Sequence, residues 1–212
     1  MKLFSFFDSS TSFRVRIALA LKGLPYEYAG VNLREGAQRD AAYRELSPAA
    51  IVPALVDGET VLTQSLAIID YLDHLRPEPR LIPEAPIERA RVLEIAQTIA
   101  CDIHPINNLR VLNYLSTTLA VNDTDKSDWY RHWVDEGLAA VESLLARRPA
   151  SEYCIGNVPT LADCCLVPQV ANALRIGCNL SRFTRVLAVY ERCMAHPAFV
   201  QAAPGNQPDY IA

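Results

Sequence analysis

The chain has 212 residues, half of them apolar, and carries 24 acidic against 20 basic side chains. This composition provides enough apolar side chains for a large core and excludes a disordered chain. A net charge of −4 leaves no broad basic field for tracking phosphates, which excludes nucleic acid as the expected partner. Apolar runs break within about ten residues, short of the roughly 20 that cross a bilayer, and Asp8 interrupts any signal-peptide core. We therefore expect a cytoplasmic protein with no membrane contact.

Arginine dominates the basic residues, with 17 of the 20. Its planar fork grips carboxylates and phosphates, so the composition favours recognition of anions. The six cysteines include no pair spaced as metal ligands, and the adjacent Cys164 and Cys165 cannot easily face one ion. We therefore expect no metal site and interpret the cysteines as reduced, mostly buried thiols.

The first 80 residues alternate strand-like and helix-like stretches. Helical spacing of apolar residues with a closing glycine at Gly23 predicts the first helix, and Asp57-Gly58 predicts a hairpin turn. The predicted strands cover residues 2–7, 26–33, 54–56 and 60–63, and the predicted helices cover residues 10–22, 37–45 and 65–75. The predicted order is βαβαββα.

Four prolines between residues 76 and 86 predict a semi-rigid linker and a domain boundary. Beyond the linker, helical periodicity covers residues 87–119, 129–147, 161–174 and 184–195. Thr160 and Asp163 form a capping-box pattern before the third of these helices. We predict an α/β domain over residues 1–80 and an all-α domain over residues 87–212, with residues 203–212 laid on the surface as a tail.

Three places in the first domain could bind an anion or an extended ligand. The Ser-Ser-Thr run at residues 9–11 and the pair Gln64-Ser65 each open a predicted helix, where hydroxyls and free helix amides favour an anion. Between them, Val52 precedes a proline and a strand, which suggests a rigid turn whose backbone could pair with an extended ligand. Taken singly, each serine could instead be a plain helix cap.

These three places belong to longer runs that resemble the zeta class of glutathione transferases. The runs are SSTSFRVRIALALKGLPYEY from Ser9, SPAAIVPAL from Ser47, TQSLAIIDYL from Thr63 and LADCCLVPQVANALR from Leu161. The resemblance spans nearly the whole chain, and the class includes glutathione-dependent maleylacetoacetate and maleylpyruvate isomerases. It implies a glutathione transferase fold, a thioredoxin-like domain followed by a helical domain, packed as a homodimer.

The resemblance also implies roles for individual residues. Ser9, Ser10 and Thr11 fall on the thiolate-binding helix start of the family, as catalytic and cofactor-binding groups. The other residues implied to bind glutathione are Gln38, Val52, Gln64, Ser65, Asp102, His104 and Asn108. Thr11 replaces the cysteine of the usual Ser-Ser-Cys motif, so the nucleophile must come from glutathione. The implied chemistry is addition of that thiolate to a conjugated double bond, rotation and elimination, with glutathione as a regenerated cofactor.

The substrate implied by this chemistry is a small dicarboxylate, for which arginine is the apt binding residue. The substrate-binding candidates are His104, Asn108, Arg110 and Arg175, and His104 and Arg110 are also catalytic candidates. On an ideal helix His104 and Arg110 would lie roughly 120° apart, but Pro105 can kink the helix and change this. The two arginines could instead form surface ion pairs, and His104 could simply pack beside the kink.

The expected activity is glutathione-dependent cis–trans isomerisation of maleylpyruvate to fumarylpyruvate, as in gentisate-type aromatic catabolism. Arg110 favours this shorter acid, because maleylacetoacetate enzymes typically have a small polar residue at its position. The alternatives are a maleylacetoacetate isomerase, a zeta-class transferase acting on α-haloacids, and a non-catalytic glutathione-binding domain. We interpret Arg14 and Arg16 as structural or interface residues, because the other face of their helix is apolar.

Overall fold

The computed structural model describes residues 1–211 and forms two compact units, one of residues 1–82 with the stretch from Met194 onward, the other of residues 83–193. The chain begins with β1 (Lys2–Ser5), α1 (Ser10–Leu21), β2 (Glu27–Gly30), a 3₁₀ turn (Ala37–Arg39), α2 (Ala41–Leu46), β3 (Ala54–Asp57), β4 (Thr60–Thr63) and α3 (Ser65–Leu75). It continues with α4 (Pro86–Gln97), a π-helix (Thr98–Ile103), α5 (Leu109–Thr117), α6 (Asp123–Ala146), α7 (Leu161–Arg175), α8 (Thr184–Met194), α9 (Pro197–Ala202) and a 3₁₀ turn (Pro204–Asn206).

A four-stranded sheet in the order β2-β1-β3-β4 lies at the centre of the first unit. Strand β1 pairs in parallel with β2 and antiparallel with β3, and β3 and β4 form a hairpin. The hairpin turn includes Gly58, whose φ of 58° is a left-handed conformation that glycine adopts readily. The predicted βαβαββα order and the hairpin are confirmed.

Three predicted elements of this unit differ from the structure in extent. The strand predicted over residues 26–33 is the shorter β2, Glu27–Gly30. Strand β1 ends at Ser5 rather than residue 7, because the carbonyls of Phe6 and Phe7 accept hydrogen bonds from a buried arginine instead of a neighbouring strand. The helix predicted over residues 37–45 is divided into the 3₁₀ turn and α2. Asp40 separates them, with an extended ψ of 140° that no helix continues.

A buried ion pair holds the linker that follows α3. Lys22 Nζ lies 2.7 Å from Asp73 Oδ1, with both side chains almost fully buried. Lys22 also donates to the carbonyls of Arg76 and Pro79, at 2.7 and 2.9 Å. Asp73 accepts from the backbone N–H groups of residues 81–82, at 2.7 and 3.1 Å. These side-chain bonds order a proline-rich stretch that cannot form regular backbone pairing.

The fully buried Arg16 of α1 joins the C-terminal stretch to the first unit. Its guanidinium donates to Ser5 Oγ, to the carbonyls of Phe6 and Phe7, and to the carbonyl of Ala202 in α9, at 2.9 to 3.2 Å. Burial lowers the pKa of Arg16 to about 10, which still leaves it charged at neutral pH. The interpretation of Arg16 as a structural residue is confirmed.

The stretch beyond α9 lies at the surface, as the sequence predicts for this tail, and side chains fasten it there. Asp209 accepts from the Phe7 backbone N–H at 3.1 Å and from the Tyr28 hydroxyl at 2.6 Å. The Tyr210 ring meets the Phe7 ring edge-on, with centroids 5.4 Å apart. The second unit accordingly ends at Cys193, not at residue 212 as predicted for the helical domain. The Phe7 partner of Asp209 is a backbone N–H, which nearly every residue has, so the sequence does not reveal this bond.

The single helix predicted over residues 87–119 is three elements: α4, the π-helix and, after a turn, α5. The His104 backbone N–H donates to the Ile99 carbonyl at 3.0 Å, an i to i−5 bond that widens the helix before Pro105. Close packing accompanies it, since a Cβ on Gly137 of α6 would lie 2.2 Å from the Ile103 side chain. Pro105 therefore precedes a break in the helix, a larger effect than the predicted kink.

Helices α6 and α7 begin at polar caps. Helix α6 starts at Asp123, ahead of the predicted start at residue 129, because the Asn122 side chain caps a first turn that lacks apolar periodicity. The capping box of Thr160 and Asp163 at the start of α7 is confirmed.

Within residues 1–211 all six cysteines are free and four are buried. No helix in this range is long and apolar enough to span a membrane.

Candidate active site

The start of α1 carries a chain of hydroxyl groups. Ser9 is the N-cap, and its Oγ accepts from the Ser12 backbone N–H at 3.3 Å. Thr11 Oγ1 lies 2.9 Å from Ser9 Oγ and donates to the Val52 carbonyl at 2.9 Å. Because the Thr11 proton goes to Val52, the Ser9 hydroxyl is the donor to Thr11. Both hydroxyl protons therefore have acceptors in this arrangement.

The N-terminus of α1 suits an anion from outside the chain. The leading backbone N–H groups of a helix lack intrahelical acceptors, and no acidic residue stands in the first turn of α1. Ser10, the first helical residue, is 5% exposed. Ser9 is the helix cap, which is one of the two roles that the sequence allows for it. A capping serine can also contact a ligand bound at the helix start.

Val52 lies in the loop before β3 and precedes a cis peptide bond to Pro53. The hydroxyls of Tyr43 and Ser47 both donate to the Ile51 carbonyl at 2.8 Å and thereby hold the loop in place. Burial raises the pKa of Tyr43 to about 12, so its hydroxyl stays protonated and remains a donor. The Val52 backbone N–H finds no acceptor among residues 1–211 and can pair with an extended ligand.

The start of α3 is a second helix N-terminus whose first turn contains no acidic side chain. Gln64 precedes it with a φ of 71°, a conformation uncommon for residues other than glycine. No side chain caps the helix, and its first turn contains no acidic residue. Ser65, the first helical residue, is 5% exposed, and its Oγ accepts from Arg14 Nη1 at 3.3 Å.

Gln38 lies in the 3₁₀ turn between β2 and α2. Its Oε1 is buried and accepts no hydrogen bond from the described part of the chain. A buried acceptor without a donor costs free energy, so a ligand N–H would stabilise this side chain.

In the second unit, the Asn108 side chain connects His104 to Arg110. Asn108 Nδ2 donates to His104 Nε2 at 3.2 Å, and Asn108 Oδ1 accepts from the Arg110 backbone N–H at 3.1 Å. His104 Nε2 is therefore an acceptor, which places the proton of the neutral imidazole on Nδ1. The turn after Pro105 thus brings His104 and the Arg110 backbone to the Asn108 side-chain amide. The Arg110 side chain is exposed.

The two remaining candidates of this unit are also exposed. Asp102 lies in the π-helix, and Arg175 is the last residue of α7. Their roles toward a ligand stay predictions. Among residues 1–211 no group of three His, Cys, Asp or Glu side chains is placed to hold a metal ion.

Arg14 is not among the residues that the sequence predicts for the site. The sequence favours a structural or interface role for both Arg14 and Arg16, yet only Arg16 is saturated with hydrogen bonds. Arg14 is 2% exposed, and its one hydrogen bond goes to Ser65. The sequence does show an arginine within an apolar helix that begins with hydroxyl residues. However, the run Arg14-Val15-Arg16 does not indicate which of the two arginines has a free donor.

Comparison with known proteins places the chain in a family. The family model for the glutathione S-transferase N-terminal domain matches residues 3–80. A probable maleylacetoacetate isomerase of Vibrio cholerae is 52% identical over 98% of this chain and 97% of its own length. The holo structure of a maleyl pyruvate isomerase, a bacterial zeta-class glutathione transferase, covers 100% of both chains at 44% identity with a TM-score of 0.97.

A third relative was solved with ligands. The maleylacetoacetate isomerase of Methylobacterium extorquens AM1, with bound malonate and glutathione, covers 100% of both chains at 34% identity with a TM-score of 0.96. The thioredoxin-like sheet unit with its helical second unit is the fold of these neighbours. The chain therefore belongs to the glutathione transferase family, in its zeta class.

Proposed function

We propose that the protein is a glutathione-dependent cis–trans isomerase that converts maleylpyruvate to fumarylpyruvate. Glutathione is regenerated in each turnover, and the substrate is a small dicarboxylate. The enzyme acts as a cytoplasmic homodimer in gentisate-type aromatic catabolism. The observation that carries the proposal is the pair of acid-free helix starts, α1 and α3, with the unpaired Val52 N–H between them in the chain.

Glutathione fits the donors and acceptors of the first unit. The first turn of α1 suits a thiolate, the Val52 N–H suits a peptide carbonyl, and the start of α3 suits a carboxylate. The buried Gln38 Oε1 needs a donor, which the amide groups of the tripeptide can provide. When bound, glutathione supplies a thiolate that adds to the conjugated double bond of the substrate, allows rotation and leaves again.

The chain itself contributes no thiol nucleophile at this helix start, where Thr11 stands in place of the cysteine of the family motif. Cys154 and Cys193 are both buried beside Asp163, and burial raises the pKa of both thiols. They are therefore poor nucleophiles at neutral pH. The positive end of α1 would instead lower the pKa of a thiol bound at its first turn, with the hydroxyls of residues 9–11 as local donors.

The substrate carboxylates would be bound by the second unit. Arg110 is an exposed guanidinium in the first turn of α5, and the Asn108 amide fixes its backbone and the His104 ring together. Arg175 adds a second exposed guanidinium at the end of α7. Two guanidinium groups suit a dicarboxylate whose addition intermediate carries an enolate.

A maleylacetoacetate isomerase is the second candidate, favoured by the 52% identity to the Vibrio cholerae relative of that description. We place maleylpyruvate first because of the extra charge at Arg110. A zeta-class transferase acting on α-haloacids and a non-catalytic glutathione-binding protein remain further alternatives.

A parallel assay of both diacids, with and without glutathione, tests the proposal. We expect maleylpyruvate absorbance to change only when glutathione is present, with free thiol constant and a higher kcat/KM than for maleylacetoacetate. Depletion of free thiol would indicate a transferase, and binding without turnover would indicate the non-catalytic alternative. Full isomerisation without glutathione would contradict the thiolate mechanism. Sedimentation equilibrium of the same sample tests the dimer.

A further inference from the structure

Arg14 of α1 is a buried cation without a counter-ion in the described residues. Its side chain is 2% exposed, and its Nε and Nη2 atoms have no hydrogen-bond partner within residues 1–211. Arginine guanidinium groups in proteins stay charged, so loss of a proton does not remove the cost of this burial. An anion from outside the chain is therefore the natural compensation for this charge.

The neighbouring Arg16 shows that the same helix can satisfy a buried arginine fully. All three guanidinium nitrogens of Arg16 donate to acceptors in the first unit. Arg14 has one donor engaged, Nη1, and its acceptor is the Ser65 hydroxyl, 3.3 Å away. Burial alone therefore does not explain why Arg14 lacks partners.

The contact of Arg14 with Ser65 directs it to the start of α3. Because Ser65 Oγ accepts from Arg14, the Ser65 proton must point to another acceptor, and the described chain provides none. The first turn of α3 has no side-chain cap and no acidic residue, so its N–H groups are also unsatisfied by side chains. The Arg14 guanidinium, the Ser65 hydroxyl and the leading N–H groups of α3 thus meet at a helix start whose first turn contains no acidic residue.

We propose that Arg14 is a positioning residue for a carboxylate bound at the start of α3. Its guanidinium orients the Ser65 hydroxyl so that the hydroxyl donates to the ligand, and its charge stabilises the bound anion at short range. The ligand class is an α-amino-acid carboxylate, here that of the γ-glutamyl group. The inference rests on the proposed function, because it assumes that glutathione is the ligand.

Calorimetric titration with two ligands tests this role. The first ligand is glutathione, and the second is γ-aminobutyryl-cysteinyl-glycine, which lacks only the α-carboxylate of the γ-glutamyl group. For the wild type we expect weaker binding of the second ligand. We expect Arg14→Met to weaken glutathione binding by about tenfold or more, and to leave the affinity for the second ligand unchanged. Ser65→Ala in the Arg14→Met background should add less than it does alone, because the two side chains act on one carboxylate.

Urea unfolding of the unliganded variants separates this role from support of the fold. We expect Arg14→Met to unfold at or above the wild-type midpoint, because it removes an uncompensated buried charge. If that variant does not fold, Arg14→Lys retains the charge without the fork, and we expect an intermediate loss that is again confined to glutathione. Equal losses for both ligands in either variant would overturn the inference alone. Failure of the wild type to bind glutathione would overturn the proposed function and, with it, this inference.

Discussion

Thr11 Oγ1 donates a 2.9 Å hydrogen bond to the carbonyl of Val52 and so joins the first turn of α1 to the loop before β3. Thr11 and Val52, which are both proposed to contact glutathione, are therefore hydrogen-bonded to each other. A ligand N–H can satisfy the same Val52 carbonyl, since peptide carbonyls carry two lone pairs. With that acceptor satisfied by the ligand, the Thr11 proton is free to turn to a thiolate.

We predict that Thr11→Val raises the pKa of the bound glutathione thiol by about one unit, because one hydrogen bond to the thiolate is lost. The substitution keeps the volume and the branched shape of the side chain. Ultraviolet absorbance of the thiolate, followed against pH in the enzyme–glutathione complex, measures this change directly.

Thr11→Ser is the matched control, since it retains the hydroxyl, and we expect its bound thiol to titrate as in the wild type. Ser9→Ala removes the helix cap and should cost about 1 kcal/mol of stability. A Thr11→Val complex that titrates like the wild type would assign the thiolate contact to another donor.

The start of α1 also shows what a sequence can predict. Local rules find the helix, its hydroxyls and its closing glycine, because caps and periodicity act over a few residues. The bond from Thr11 to Val52 spans 41 residues, and that from Arg16 to Ala202 spans 186, so no spacing along the chain encodes them. Both use backbone carbonyls as acceptors, which every residue has.

The second unit gives the same lesson for the helix around Pro105. The proline itself predicts a disturbed helix, and the structure has one. The π-helix before it packs Ile103 against Gly137, a contact between separate helices that is visible only after folding. The pairing of His104 with Asn108 follows from that turn, so only the candidates, and not their geometry, were predictable.

His104 is expected to position the substrate and not to transfer a proton through Nε2, because the Asn108 amide already occupies that nitrogen. We predict that His104→Gln keeps the shape of the pH–rate profile and lowers kcat by no more than about threefold. A glutamine can still accept from Asn108 through its carbonyl oxygen.

The kcat and kcat/KM profiles of wild type and His104→Gln from acid to alkaline pH provide the measurement. Loss of one limb of the profile in the variant would identify His104 as an acid or base. Asn108→Ala serves as the companion variant, and we expect a raised KM because both the ring and the start of α5 lose their fixed orientation.

Arg110 is expected to bind one substrate carboxylate. We predict that Arg110→Ala raises the KM for maleylpyruvate by about tenfold or more, since a charged hydrogen bond is lost in the complex. The KM for glutathione should change less, because Arg110 is proposed to contact the substrate and is not among the residues implied to bind glutathione.

Arg131→Ala is the control for removal of a positive charge from the same unit, because Arg131 is exposed and paired with Asp128 within α6 at 3.4 Å. We expect its kinetics to match the wild type. An unchanged kcat/KM in Arg110→Ala would leave Arg175 as the remaining arginine candidate, to be examined by the same pair of measurements.

The ion pairs of Lys22 and Lys126 have the same N–O distance, 2.7 Å, and differ in burial. The side chains of Lys22 and Asp73 are 0% and 1% exposed, whereas those of Lys126 and Asp123 are 30% and 94% exposed. We predict that Lys22→Met lowers the free energy of unfolding by about 3 to 5 kcal/mol, because it leaves Asp73 as a buried charge without its partner. Lys126→Met should unfold like the wild type, because water screens the exposed pair. Urea unfolding of both variants checks this, and similar midpoints for the two would show that burial does not set the contribution of these pairs.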